Sequence, residues 1–276
     1  MIRNVLGLAW DAGERLVDDD GLEMSGHVAF TAMLALFPFL VFLAALAGLV
    51  GDVHGAETFV EYLFLFVPQE IVKTLVPIIN QVLSTPRTDL AAIGLVAALW
   101  SAMSGVDALR VSLNRAYGAS EERPYWRRKL MDLAFVLLGS LMIVLLTIGI
   151  VLGPLVAQIL TRILGMFAPE LDLWARGRYV VTLVVMLVGL VVVHRWLPNL
   201  KHRARDVLPG AIATTVLWVL AAMLFSEYLG RFANYGATYG SLAGVIAALL
   251  FFYVSAILFV YGGHLNAALY RRRKQP

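Results

Sequence analysis

The sequence of 276 residues contains no cysteine. Disulfides, thiolate metal sites, iron–sulfur clusters and thiol catalysis are therefore excluded, whereas the redox compartment stays undetermined. Charged residues are also scarce, at 15% against about 25% in an average soluble domain. Hydrophobic residues reach 60%, which is more apolar surface than a water-soluble protein of this size can bury. The composition therefore predicts a membrane protein.

The short motifs of common enzyme classes are missing as well. The histidines show no HExxH or comparable zinc spacing, and the chain has neither a GxxxxGK[ST] loop nor a GxSxG elbow. A serine hydrolase or a metalloenzyme whose residues are scattered along the chain stays open. We predict no catalytic residues, no metal and no cofactor, and we expect a protein that is not an enzyme.

Six apolar runs have about the 20-residue length needed to cross a bilayer. They predict transmembrane helices at residues 28–50, 90–112, 130–156, 179–197, 207–229 and 241–263. The fold class is therefore all-α, a polytopic membrane helical bundle formed by a single domain, residues 1–276. Acidic residues throughout residues 11–23 argue against a cleavable signal peptide.

The charges of the connecting segments predict an orientation. Lysine and arginine cluster between spans two and three, between spans four and five, and after span six. The positive-inside rule makes these segments cytoplasmic, together with both termini. Because the basic residues follow topology, they indicate no nucleic-acid partner, and they suit anionic lipid headgroups at the cytoplasmic face. Residues 51–89 are then exterior, and "QEIVKTLVPIINQVL" within them has the periodicity of an amphipathic helix.

Span two, "LWSAMSGVDALRVSLNRAYG", carries the densest polar set. Ser104, Asp107 and Arg110 recur every three residues, so Asp107 and Arg110 can form an ion pair on one helical face. Charges inside a span usually face protein or a water-filled cavity, which makes this set the leading candidate site. A purely structural ion pair near the cytoplasmic interface explains the pattern about equally well.

Proline and glycine mark two further places. Pro38 in span one interrupts the helical hydrogen bonding, which fits either a hinge at a substrate cavity or a fixed packing kink. In "YGATYGSLAG", Gly236, Gly240 and Gly244 repeat every four residues at the entry to span six. No strand precedes this stretch and no lysine lies in it, so it predicts close helix packing or a hinge and not a phosphate loop.

Four blocks of the sequence resemble the YihY/BrkB family of bacterial inner-membrane proteins, some of them formerly labelled ribonuclease BN. They are "AFTAMLALFPFLVFLAAL", span two as quoted above, "LPN" followed by "DVLPGA", and "TYGSLAGVIAALLFFYVSAILFVYGGHLNA". The resemblance implies six spans, cytoplasmic termini and an inner-membrane location. The family typically has Gly-Ala-Glu-Leu-Asn where this chain has Gly262 to Asn266, with His264 in place of the acid. Some members are linked with virulence, serum resistance or lipopolysaccharide transport.

Three functions remain in view. A transporter, exporter or flippase-like carrier of a lipid or other amphipathic molecule is favoured, a membrane scaffold is the alternative, and a ribonuclease has least support because no acid and base occur at a recognisable spacing. Membrane lipids are the expected partners, and a homo-oligomer stays open. The residues expected to line a substrate path are Thr31, Ser104, Asp107, Arg110, Tyr239 and Asn266.

Overall fold

The computed structural model describes residues 2–49, 88–142, 169–200, 203–231 and 242–274. All regular secondary structure in these ranges is helical, which confirms the all-α prediction for the described part of the chain. The seven helices are α1 (Ile2–Asp18), α2 (Gly21–Leu49), α3 (Thr88–Tyr117), α4 (residues 125–142), α5 (Pro169–Trp196), α6 (Ala204–Arg231) and α7 (Leu242–Lys274).

Helix α7 is the centre of the described bundle. It packs against α1, α2, α3 and α6, while α2 and α3 share the most extensive interface and α5 packs on α6. A buried apolar cluster of Leu16, Leu113, Leu197, Phe259 and Val260 joins α1, α3 and α7 to the end of α5. The buried contacts therefore tie the first and last helices together near the ends of α3 and α5.

Two helices have the length and hydropathy of a membrane span in the described ranges. They are Ala204–Tyr228 within α6 and Val245–Arg273 within α7, which correspond to predicted spans five and six. A shorter apolar helix, Val180–Trp196, corresponds to span four. The count of six spans stays a prediction, and the predicted amphipathic helix "QEIVKTLVPIINQVL" lies outside the described residues.

Helix α1 is absent from the predicted elements. Its apolar residues fall on one half of the helix, where Ala12 and Leu16 are buried, and the Tyr261 hydroxyl of α7 donates to the Ala9 carbonyl at 3.2 Å. The turn into α2 places Asp20 at a φ of 52°, a left-handed conformation that aspartate tolerates better than most residues. A Cβ at Gly21 would lie 2.6 Å from the Leu16 carbonyl oxygen, so this corner requires glycine.

Pro38 lies within α2, whose backbone is helical from Gly21 to Leu49. A proline inside a helix removes one backbone hydrogen bond. In α2 the helix nevertheless continues past Pro38. Both roles considered for Pro38, a hinge at a substrate cavity and a fixed packing kink, stay predictions. Gly244 lies in the first turn of α7, and Gly236, Gly240 and Tyr239 lie outside the described residues.

Candidate functional site

The guanidinium of Arg110 is enclosed by three carboxylates. Its side chain is only 1% exposed, and it pairs with Asp107 one turn earlier on α3. Its Nη1 atom donates to Asp132 Oδ1 of α4 at 2.6 Å, and its Nε atom lies 3.4 Å from Glu121 Oε2. The predicted ion pair between Asp107 and Arg110 is therefore present, as part of a larger buried charge cluster.

Lysine and aspartate on α4 complete this cluster. Lys129 and Asp132 are three residues apart, so both reach the same face of α4. Lys129 Nζ lies 3.3 Å from Asp132 Oδ2 and 3.5 Å from Asp107 Oδ2, across the gap between α4 and α3. Asp132 is fully buried and pairs with both cations, which compensates the cost of removing its charge from water.

A second layer of hydrogen bonds extends the cluster into the loop between α3 and α4. Arg123 binds Glu121 through Nε and Nη2, both at 2.7 Å, and its Nη2 also donates to the Leu197 carbonyl at 2.9 Å. Asn114 donates to Glu121 Oε2 at 3.0 Å and accepts from the Asn199 backbone N–H at 2.7 Å. The network therefore joins α3, its following loop and the end of α5.

Glu121 is the acid of this loop. Its hydrogen bonds from the Arg123 side chain, the Arg123 backbone and Asn114 lower its pKa to about 2, although partial burial opposes that shift. Since the pKa is depressed in the folded protein, the ionised carboxylate stabilises the fold above the ordinary pKa of glutamate. That stabilisation is lost as the pH falls from about 5 towards 2.

A Glu121→Gln variant is expected to have a lower apparent melting temperature than wild type at pH 7, because the amide cannot replace the two bonds to Arg123. The difference should narrow as the pH is lowered towards 2, because protonation then removes the same bonds from the wild-type protein. Thermal unfolding of both proteins in detergent across pH 2 to 7 measures this. A constant difference at all pH values would contradict the role of the Glu121 charge.

Asn266 lies in a different place, where α7 crosses α6. Its Oδ1 accepts from the Gly210 backbone N–H at 2.6 Å, and its Nδ2 donates to the Val207 carbonyl at 2.9 Å. Both bonds reach the first turns of α6, next to the internal Pro209. Asn266 is 1% exposed, so its amide is committed to joining the two helices. Its role as a substrate contact stays a prediction.

Glycines allow this crossing. A Cβ on Gly210 would overlap the Gly262 carbonyl oxygen and approach the Asn266 amide to 2.5 Å. A Cβ on Gly262 would overlap the Thr214 hydroxyl and lie 2.9 Å from the Gly210 carbonyl oxygen. The two backbones are therefore closer than any larger residue permits, as small residues allow in membrane helices.

The other described candidates make local contacts. The Thr31 hydroxyl donates to the His27 carbonyl at 2.8 Å, and the Ser104 hydroxyl donates to the Trp100 carbonyl at 3.0 Å, each one turn back along its own helix. Thr31 is buried, whereas Ser104 is half-buried one turn from Asp107. Among the described candidates, Asp107 and Arg110 contact each other directly, whereas Thr31, Ser104 and Asn266 make their hydrogen bonds elsewhere.

His264 of α7 lies against an acid of the corner between α1 and α2. The side chain is 1% exposed, and its Nδ1 atom lies 3.7 Å from Asp19 Oδ2 at the corner between α1 and α2. In the described ranges, no group of three or more histidines and carboxylates is placed to hold a metal ion.

An apolar cavity of about 380 Å³ lies between α6 and α7. It was not predicted from the sequence. The residues that line it are Trp218, Ala221, Leu224, Phe225, Tyr228, Leu250, Phe251, Val254 and Ser255. They belong to the parts of the two helices that lie away from the Asn266 crossing.

The sequence profile of the family described as Virulence factor BrkB matches residues 12–276. The chain belongs to the BrkB family. Relatives include the ribonuclease-like protein YfkH of Bacillus subtilis (strain 168), which is 33% identical over 93% of both chains. UPF0761 membrane protein NMB0524 of Neisseria meningitidis serogroup B is 27% identical, and the match covers 96% of this BrkB-family chain and 64% of that protein. No solved structure matches the chain.

The family assignment confirms the predicted resemblance and places the chain among membrane proteins, as the printed names of the UPF0761 relatives state. A UPF0761 membrane protein of Alteromonas mediterranea is 23% identical over 93% of this chain and 85% of its own length. The chain spans just under two thirds of the Neisseria relative. Only the relative from Bacillus carries a ribonuclease-like name among these three.

Proposed function

We propose that this BrkB-family membrane protein carries a lipid or another amphipathic molecule through the membrane. The apolar cavity between α6 and α7 carries this proposal. Its walls belong to the two described helices with the length and hydropathy of membrane spans. Its volume of about 380 Å³ lies within the range of roughly 300–1,000 Å³ that is usual for ligand pockets.

The chemistry of the lining suits a hydrocarbon chain. Trp218 Nε1 donates to the Ser255 hydroxyl at 3.0 Å, and that hydroxyl donates to the Phe251 carbonyl at 2.7 Å. These polar groups are thus already hydrogen-bonded to each other and to the backbone, so a ligand meets apolar and aromatic surface. Burying an acyl chain there leaves no polar group unpaired, whereas a polar substrate would lose its hydration without compensation.

The rim of the cavity is apolar too. Leu224 is 72% exposed and Leu250 is also exposed, although both line the cavity. In a helix that spans a bilayer, such side chains face lipid tails, so a chain can enter sideways without crossing a polar layer. This supports lateral exchange with the bilayer over entry from water.

We propose that the buried charge cluster forms the polar end of this lipid path, and that this end is closed in the described conformation. Arg110 is enclosed by carboxylates, whereas Asp107 is 35% exposed and therefore reachable from outside the cluster. A polar headgroup reaches Arg110 only after its ion pairs open. We therefore infer a conformation in which the polar part of the path is shut.

A membrane scaffold without a transported substrate is the second candidate. The close crossing at Gly210 and Gly262, locked by Asn266, supports it because such packing favours one rigid arrangement. Under this proposal the α6–α7 cavity is filled by lipid that does not move. We propose neither a ribonuclease nor another enzyme, in agreement with the UPF0761 membrane-protein names.

We further propose a multi-pass protein of the bacterial inner membrane with both termini in the cytoplasm. The basic end of α7, Arg271 to Arg273, and the basic start of α4 support this orientation through the positive-inside rule. The charge cluster then lies near the cytoplasmic surface, and the α6–α7 cavity lies in the outer half of the bilayer.

Reconstitution into liposomes tests the carrier. Vesicles with the protein are expected to exchange fluorescent anionic lipid between leaflets faster than protein-free vesicles. Filling the cavity by Ala221→Trp should slow this exchange about tenfold, the effect of losing about 1.4 kcal/mol of binding. Met223→Trp adds an indole at a neighbouring exposed position outside the lining and should leave the rate unchanged.

Two outcomes distinguish the candidates. Exchange no faster than in protein-free vesicles, across several lipid classes, contradicts the carrier and favours the scaffold. If Ala221→Trp and Met223→Trp slow the exchange equally, the cavity is not on the path of the lipid. Both variants are compared with wild type for a monodisperse elution profile before reconstitution.

A further inference from the structure

Residues 125–129, "YWRRK", form a basic and aromatic patch at the start of α4. Tyr125 is 60% exposed and Trp126 is 59% exposed, which is high for aromatic side chains at adjacent positions. Three cations follow them directly in the sequence. This basic aromatic patch lies beside the charge cluster, and the proposed carrier activity does not require it.

The cations of the patch stack on its own rings. The Arg127 guanidinium lies 5.1 Å from the centre of the Trp126 ring, and the Arg128 guanidinium lies 5.7 Å from the centre of the Tyr125 ring. Both distances fall within the roughly 6 Å reach of cation–π attraction. The rings thus hold the two guanidinium groups near the surface without neutralising them.

The positive charge of Arg127 and Arg128 is uncompensated in the described ranges. Lys129 is paired with Asp107 and Asp132 in the charge cluster, whereas no carboxylate lies within ion-pair distance of either arginine. The Nε atom of Arg128 is buried and has no hydrogen-bond partner among the described residues. The acid Glu121 of the preceding loop is occupied by Arg123. An anionic partner would therefore find two cations that pair with no carboxylate of the described residues.

The surface next to the patch indicates which anion that is. After the patch, α4 continues with Leu130 at 61% exposure and then with exposed Leu137, Leu138 and Leu141. Before the patch lies the polar loop of residues 118–124. The patch therefore marks the border between a polar segment and an apolar helical surface in a membrane protein. Exposed tryptophan and tyrosine are enriched at this depth, the level of lipid headgroups.

We propose that the basic aromatic patch binds the phosphate of an anionic phospholipid headgroup. Arg127 and Arg128 pair with the phosphate oxygens, for which the planar guanidinium has matching geometry. Tyr125 and Trp126 lie among the headgroups, and the lipid chains follow the exposed leucines of α4. The same cations suit the phosphates of RNA, but the adjoining apolar surface favours lipid.

The binding test uses the full-length protein in neutral detergent. Native mass spectrometry is used to compare the binding of phosphatidylglycerol with that of phosphatidylcholine carrying the same acyl chains. Wild type is expected to prefer phosphatidylglycerol. The double variant Arg127→Gln/Arg128→Gln should lose about 25-fold in affinity for it, at about fivefold for each interfacial cation removed. Its affinity for phosphatidylcholine should stay the same.

Two further variants separate a specific site from general charge and from misfolding. Arg203→Gln/Arg205→Gln removes two exposed arginines at the start of α6 and should leave the preference for phosphatidylglycerol intact. Arg127→Lys/Arg128→Lys keeps both charges and should retain most of the preference. Elution as one monodisperse species shows that each variant is folded.

Several results would overturn the proposal. Wild type could show no preference for phosphatidylglycerol, or the patch variant could keep that preference. The α6 control could also lose the preference as fully as the patch variant does. If wild type binds a single-stranded RNA probe more tightly than phosphatidylglycerol, and the patch variant no longer binds the probe, the patch is a nucleic-acid site instead. Binding of inorganic phosphate alone at the affinity of phosphatidylglycerol would contradict a lipid site.

Discussion

An Arg110→Met variant is expected to be less stable than wild type by about 3–5 kcal/mol. Methionine fills a similar volume but leaves Asp132, which is fully buried, with only Lys129 as a cationic partner. An uncompensated buried carboxylate is costly because no water replaces the lost ion pair. The apparent melting temperature in detergent should therefore fall by on the order of 10 °C.

Arg115→Gln is the matched control for this prediction. Arg115 lies on the same helix as Arg110 and pairs with Asp20 at the corner between α1 and α2, but both side chains of this pair are about half exposed. Exposed pairs contribute at most about 1 kcal/mol, so the control should unfold near the wild-type temperature. Equal melting temperatures for the Arg110 and Arg115 variants would show that the charge cluster does not hold α3 and α4 together.

Removing both buried partners tests the cause. The double variant Arg110→Met/Asp132→Leu eliminates the unpaired charge and should recover part of the stability lost in Arg110→Met alone. Asp107 and Glu121 keep other partners in Lys129 and Arg123. If Asp132→Leu lowers the stability of Arg110→Met by as much as an independent mutation would, this explanation is wrong.

Gly210→Ala is expected to prevent α6 and α7 from packing in their present arrangement. Alanine normally stabilises a helix by about 1 kcal/mol relative to glycine. Here its Cβ would overlap the Gly262 carbonyl oxygen and crowd the Asn266 amide, which is held by two backbone bonds. Backbone atoms on both sides leave little room for adjustment, so the expected loss is at least about 3 kcal/mol.

Gly105→Ala is the control on α3, because a Cβ at Gly105 meets no atom within 4 Å. This variant should be as stable as wild type or slightly more stable. Fluorescence-detected size-exclusion chromatography measures the folded fraction of both proteins after heating. A Gly210→Ala protein that is monodisperse and melts with the Gly105→Ala control would mean that the two helices lie further apart than described.

Hydropathy predicted the membrane helices better than it predicted their ends. The predicted span 207–229 agrees closely with α6, whereas span 241–263 stops well short of the end of α7 at Lys274. His264, Asn266 and the following arginines lower the hydropathy but do not interrupt backbone hydrogen bonding. Hydropathy reports how far the apolar surface extends, and a helix can continue beyond it.

Part of the charge cluster was predictable and part was not. The spacing of Asp107 and Arg110 gave their ion pair directly. The pairing with Asp132 depends on how α4 packs against α3, which no local spacing encodes. One signal was available, because Asp132 falls inside the predicted span 130–156, and a charge inside a span calls for a partner.

The close approach of helices was predicted for a different set of glycines. The four-residue spacing favoured Gly236, Gly240 and Gly244, of which the first two lie outside the described residues. The close contact that the structure describes is at Gly210 and Gly262, which have no such repeat. Each contributes one small residue to a crossing of two helices, so the pattern is not visible within either segment.

The proposed carrier requires that the cavity between α6 and α7 hold a hydrocarbon chain of a lipid. A cryo-electron-microscopy structure of the full-length protein in lipid nanodiscs tests it most directly. Elongated density between Trp218 and Phe251 is expected in wild type and not in Ala221→Trp. A cavity filled by the protein's own side chains, or density unchanged in that variant, would contradict a lipid site in this cavity.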